Sequence, residues 1–329
     1  MTTLRFPMRF ALLGLAAALV ALPAFARKGE DALSLVPADA ATVGVVRWNE
    51  LRSSALGARL LSETDRMTVD GDAARFMAEA RLNPKEDVDV LVFAGSPGAS
   101  GRGASSGLVL FEGRFDTERL SAALASRGGR RRSAPGGDYF LLPEGNHSHG
   151  DPGKSGAVAF ASSRLVIAGD EASVVAALAR RQAGGADFAS RAALGREFAR
   201  INPDASAWAL VDVKRYPIGK AKVGVTGEAG DVLAAMKSVS VVALQAAVKG
   251  DALDLAASGV TGDDETRQLL EDSIRGVLAM WRLAVQEKSP EAVTMLRRFK
   301  VGTDGQAVTI KGTLTGDFLR SLADKHAQK

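Results

Sequence analysis

The sequence predicts an α+β protein made of two related halves of antiparallel sheet, with helices packed mainly on one face. Three observations carry that expectation. Short runs rich in Val, Leu and Ile recur along the whole chain, bounded by Gly, Pro, Ser or Asp. Several are separated by only a few turn-forming residues, which demands antiparallel neighbours. Between them lie stretches whose apolar residues recur every three or four positions.

In the first half the strand-like runs are Thr42–Arg47, Val88–Ala94, Gly107–Gly113, Tyr139–Leu142, Gly156–Ala161 and Leu165–Ala168. In the second they are Ala207–Val213, Val239–Val248, Ala252–Ser258, Phe299–Gly302 and Ala307–Leu314. Asp304-Gly305 between the last two suits a tight primed hairpin turn. Helical spacing is strongest over Asp263–Val285, where Leu270, Ile274, Val277, Leu278, Trp281 and Val285 form one stripe expected to lie buried on the sheet. Asp263, Asp264 and Glu265 stand where carboxylates cap free N–H groups. Further helices are expected at Asn49–Glu63, Asp72–Arg81, Thr117–Ser126, Glu171–Arg181 and Gly316–Lys325.

A weak internal repeat organises these elements. Val36-Pro37-Ala38-Asp39-Ala40 leads into one strand, and Asn202-Pro203-Asp204-Ala205 leads into another. The expected division is a signal peptide over residues 1–26, a first α+β half over 27–185 and a second over 186–329. The signal reading rests on Arg5 and Arg9, the apolar run Phe10–Leu22 and the small residues before a cut after Ala26. It makes the chain an exported protein, periplasmic or extracellular. No later stretch is long and apolar enough for a transmembrane segment, since the longest, Val239–Val248, is broken by Gln245.

Composition excludes several function classes. The chain has 42 Lys and Arg against 38 Asp and Glu, and cleavage would remove Arg5 and Arg9, leaving 40 against 38 and a balance of +2. That field is too weak to gather nucleic acid. With no cysteine there is no disulfide, thiolate catalyst, iron–sulfur cluster or cysteine-held zinc.

The chemistry-bearing candidates are few. His147, Ser148, His149 and Asp151 place two imidazoles near a carboxylate, so His147, His149 and Asp151 are the candidate metal ligands, although the surrounding Gly and Pro favour a solvated loop. Pro143–Ser155 and Gly95–Ser106 both read as hairpin tips. Gly153-Lys154-Ser155 lacks the glycine a phosphate loop needs five residues before Gly153. Arg127–Arg132 reads as a solvated basic turn, and Asp87 and Asp89 as solvent-facing carboxylates beside a strand. Trp48, Trp208 and Trp281 are expected in the core. No nucleophile stands beside a base in this pattern, so no catalytic residue and no cofactor are assigned.

The opening Leu35-Val36-Pro37-Ala38-Asp39-Ala40, the passage Phe111–Asp116 and the run Ala252–Thr261 into its long helix resemble exported bacterial α+β repeat proteins of unknown function. The resemblance implies the fold and supplies no catalytic residues. The expected role is a non-enzymatic binding or scaffolding module of the cell envelope, with an unknown envelope protein or an apolar ligand as partner. The alternatives are a periplasmic carrier or chaperone for an apolar ligand, lipid or unfolded chain, and a metal-assisted hydrolase built on His147, His149 and Asp151.

Overall fold

The computed structural model describes residues 30–57, 71–97, 106–143, 155–216, 237–286 and 289–327. The expected signal peptide and the His147, His149 and Asp151 group lie outside these residues.

The strands are β1 Thr42–Val46, β2 Val88–Ser96, β3 Ser106–Gly113, β4 Arg130–Ala134, β5 Gly137–Leu141, β6 Gly156–Ser162, β7 Leu165–Asp170, β8 Ala207–Asp212, β9 Val241–Lys249, β10 Ala252–Val260, β11 Lys300–Asp304 and β12 Ala307–Thr315. They form one sheet in the order β11-β12-β10-β9-β8-β1-β2-β3-β7-β6-β5-β4. Every neighbouring pair is antiparallel. The helices are α1 Glu30–Leu33, α2 Trp48–Ser53, α3 Gly71–Ala80, α4 Pro84–Asp87, α5 Thr117–Ser126, α6 Glu171–Gln182, α7 Phe188–Arg191, α8 Asp264–Gln286, α9 Pro290–Arg297 and α10 Gly316–Ala327. The protein is therefore α+β, as its sequence predicts.

The strand order contains the same succession twice. β1-β2-β3-β7-β6 runs outward from the centre on one side, and β8-β9-β10-β12-β11 runs outward on the other, while β5 and β4 extend the first side alone. β1 and β8 meet in the middle with Thr42 opposite Val211 and Val46 opposite Ala207. Because they are antiparallel, a half-turn about the sheet normal relates the two successions and leaves each face of the sheet common to both.

Period-two alternation divides the side chains between those faces. On one face Val43, Val45, Val92, Leu110 and Ile167 pack with Val174, Ala177 and Leu178 of α6. The segment joining the halves is folded against this face too: Phe188 of α7 and Phe198 lie edge-on with ring centroids 5.9 Å apart, and Phe198 meets Trp208 of β8 at 5.4 Å. On the other face Leu120 and Ala123 of α5 cover Val88 and Val166, and Leu270 of α8 covers Val308 and Val239. Trp48 of α2 joins the clusters on this second face.

Asp116, Asp170 and Ser289 cap α5, α6 and α9 through their side chains. Asp263 does the same for α8, accepting from the N–H of Thr266 at 2.8 Å, and that bond holds its carboxyl below the ordinary value. A matched device appears in each half on the α8 face. A side chain at Gly44 would lie 2.2 Å from the ring of Phe93 opposite it, and one at Gly312 would lie 2.5 Å from the ring of Phe299. Each ring fills the groove its glycine leaves, so each pair is a single packing unit.

Three expectations need correction. Arg130–Ala134 is the edge strand β4 rather than part of a solvated turn, with Arg131 held to Asp138 at 2.7 Å. Charged edge residues discourage pairing with another sheet, which suits arginine at this position. α9 is a helix that apolar spacing did not reveal. Asp89 is not solvent-facing: its side chain is 16% exposed and pairs with Arg52 at 2.6 Å.

Candidate functional surfaces

The second half carries the most unusual surface. On the face opposite α8, β9, β10 and β12 present Ala247, Ala256, Ser258, Thr309, Lys311 and Thr313, none fully buried. The long helix itself changes character along its length. From Asp264 to Arg275 it carries six charged residues, with Arg275 paired to Glu271 at 2.6 Å and Arg267 to Asp264 at 3.2 Å. From Gly276 to Gln286 the sole charge is Arg282, whose guanidinium is turned inward to donate to the carbonyls of Leu296 at 3.0 Å and Phe299 at 3.3 Å.

The expected burial of the whole stripe holds only at its start. Leu270 is 2% exposed and Ile274 packs against its cluster, but no α8 residue beyond Ile274 joins a buried cluster among the described residues. Val277 and Leu278 are half-buried, and Trp281, which the sequence places in the core, is 49% exposed. Met280 is 45% exposed, Leu269 50% and Leu283 70%. A helix segment apolar on nearly all sides normally lies inside a protein, whereas this one is presented outward. Its apolar outer side was legible as composition, since Ala279-Met280-Trp281 and Leu283-Ala284 flank one arginine.

Three clefts among the described residues have charged side chains on their walls. One, of 340 Å³, lies at the end of α6 against the β6–β7 turn, with Asp89, Glu112, Arg164 and Arg181 on its walls. A second, of 510 Å³, is lined by Arg81, Asp87, Arg114 and Arg164, and a third, of 540 Å³, by Glu118, Arg131 and Asp138. Each carries charged side chains on its walls, unlike a pocket that encloses a lipid chain. Tyr139 donates to the Glu171 carboxylate at 2.6 Å, and that bond raises its phenol above the ordinary value, a structural tie between β5 and α6. No group of three or more His, Asp or Glu side chains able to hold a metal is found among the described residues.

No protein-family model matches the chain, and neither does any curated protein. Three solved structures of TP0453 resemble it. Crystal form III is 10% identical with a TM-score of 0.51 over 89% of this chain and 97% of that one. Form IV is 11% identical with a TM-score of 0.49 over 88% and 95%, and form I is 10% identical with 0.46 over 89% and 96%. At this identity the likeness of form III is one of fold, and it extends over nearly the whole α+β architecture of both chains.

Proposed function

We propose that this chain is an exported, non-enzymatic binding module that engages an apolar partner surface through the C-terminal half of α8. The observation that carries the reading is the outward display of Met280, Trp281 and Leu283 on a segment with one charge, itself turned inward. Exposed Leu and Trp together cost solubility and add nothing to this fold, so their exposure is explained by a partner that covers them. The charged side chains on the walls of all three clefts favour a docking surface over a carrier that encloses its ligand.

Export rests on the charged start, apolar run and small-residue cut site of the first 26 residues. Sequencing the mature N-terminus should return Arg27, and a product beginning at Met1 would contradict export by cleavage. For the surface itself, a photo-crosslinking residue at position 283 should give one discrete adduct in the cell envelope, while the same residue at position 311 should give none. Equal labelling from both positions, or none from 283, would end this reading.

A further inference from the structure

We propose that the 340 Å³ cleft at the end of α6 is a binding site for a small ligand carrying an oxyanion, a carboxylate or a phosphate. Five separate stretches of chain build it: Ser34-Leu35, Asp89 of β2, Glu112-Gly113 of β3, the turn at Ser162–Leu165, and Arg181–Gly185. Its volume falls at the small end of the range for small-molecule sites, about 300–1,000 Å³.

The walls are fixed by close packing. Gly185 has φ of +66°, and a side chain there would lie 2.6 Å from the Ser34 hydroxyl. Glycine alone lets the chain leaving α6 close against the segment after α1.

The charges in the cleft are unequally satisfied. Asp89 is compensated by Arg52 at 2.6 Å, and Arg52 is itself anchored to the carbonyls of Lys85 at 2.7 Å and Val88 at 3.0 Å. Glu112 accepts from the N–H of Ala32 at 3.2 Å. Arg164 and Arg181 are exposed, and neither has a side-chain partner among the described residues. The cleft is therefore lined by two arginines without a side-chain partner among the described residues, of which Arg164 also borders the 510 Å³ cleft.

Both stand on rigid supports. The Arg164 carbonyl accepts from Gly113 N–H at 3.0 Å, its own N–H donates to the Ser162 hydroxyl at 3.2 Å, and Arg181 projects from the last turn of α6. A planar guanidinium matches the paired oxygens of a carboxylate or phosphate, and its hydrogen bonds to an anion are roughly twice as strong as neutral ones.

The test is calorimetric titration of the full mature chain with inorganic phosphate and, separately, with acetate, at constant ionic strength in chloride. Binding of phosphate alone identifies a phosphate-bearing ligand, and binding of acetate alone a carboxylate. Either should weaken about tenfold or more in Arg164→Gln and in Arg181→Gln, as expected for loss of a charged hydrogen bond. Glu112→Gln should tighten binding, because it removes a negative charge and keeps an acceptor for Ala32. Arg196→Ala, on an arginine 84% exposed and outside the cleft, should change nothing. Absence of binding by both probes, equal weakening in Arg196→Ala, or weaker binding in Glu112→Gln would overturn the proposal.

Discussion

The two halves share a strand succession and differ in what covers it. In the first half both faces are dry: α6 seals Leu110 and Ile167 on one side, and α5 seals Val88 and Val166 on the other. In the second half the helix that follows the last strand packs on the opposite face from α6. Leu319 of α10 joins Leu253, Leu255 and Leu314 on the α8 side, so α8, α9 and α10 crowd one face. The strands record the difference, since the face that carries Val and Ile in β1 and β7 carries Ala, Ser, Thr and Lys in β10 and β12. A shared backbone plan fixes where strands go, and side-chain polarity decides which faces helices cover.

This comparison is broken or sharpened most strongly by core truncation. Ile167→Ala in the first half and Leu270→Ala in the second should each cost about 2–5 kcal/mol, because both sites are fully packed. Leu278→Ala, two turns further along α8, should cost only about 1–2 kcal/mol, in line with its half-buried state. Denaturant midpoints of the three variants decide the matter. Equal losses at positions 270 and 278 would mean that the far end of α8 is sealed after all.

The two glycine–phenylalanine pairs give the next effect. Gly44→Ala sits in the middle of the sheet, where its methyl group would collide with the Phe93 ring, and should cost about 1–3 kcal/mol. Gly312→Ala should cost less, since Phe299 lies near the sheet edge and can shift outward. Adding Phe93→Leu to Gly44→Ala should recover part of the loss in thermal melts. No recovery would show that the ring is not what excludes the methyl group.

A smaller effect is expected on the open face. Asp254 accepts from Lys249 at 2.8 Å and from the Thr313 hydroxyl at 2.6 Å, and these bonds hold its carboxyl below the ordinary value of 3.8. A carboxyl lowered on folding contributes stability that is present above its unfolded value and is lost as pH falls through the folded one. Melting temperature should therefore decline as pH falls through and below about 4, the ordinary carboxylate range, and Asp254→Asn should flatten that decline. An unchanged slope in Asp254→Asn would show that the tie across the open face does not couple to folding.

The least effect concerns one backbone position. Arg81 closes α3 with φ of +48°, a left-handed conformation unfavourable to a residue with a side chain. Arg81→Gly should raise stability by about 0.5–1 kcal/mol in a denaturant melt, and a loss would show that the side chain earns its place through contacts.

Much of the fold was legible because it is written in period. Each strand predicted from the sequence is present, with ends moved by a few residues, and α5 runs over Thr117–Ser126 as expected. β4 escaped notice because Arg130-Arg131-Arg132-Ser133-Ala134 has no apolar face, and an exposed edge strand needs none. α9 escaped because it is eight residues long and begins at a proline. The surfaces were harder to read. The periodicity of Asp263–Val285 reports that one side of the helix is apolar, but not how far the sheet beneath it extends. Arg164 and Arg181 are distant in sequence, and only the turn after β6 and the end of α6 bring them to one cleft.

The central claim, that the far half of α8 is kept apolar for a partner and not for folding, is tested most directly at Leu283. Leu283→Ser should leave the denaturant midpoint within about 0.5 kcal/mol of the parent protein, as a surface change does. It should also reduce binding of an apolar fluorescent probe, while Leu270→Ala loses stability. A Leu283→Ser protein that melts with a loss of about 2 kcal/mol or more, or that binds the probe unchanged, would contradict the account.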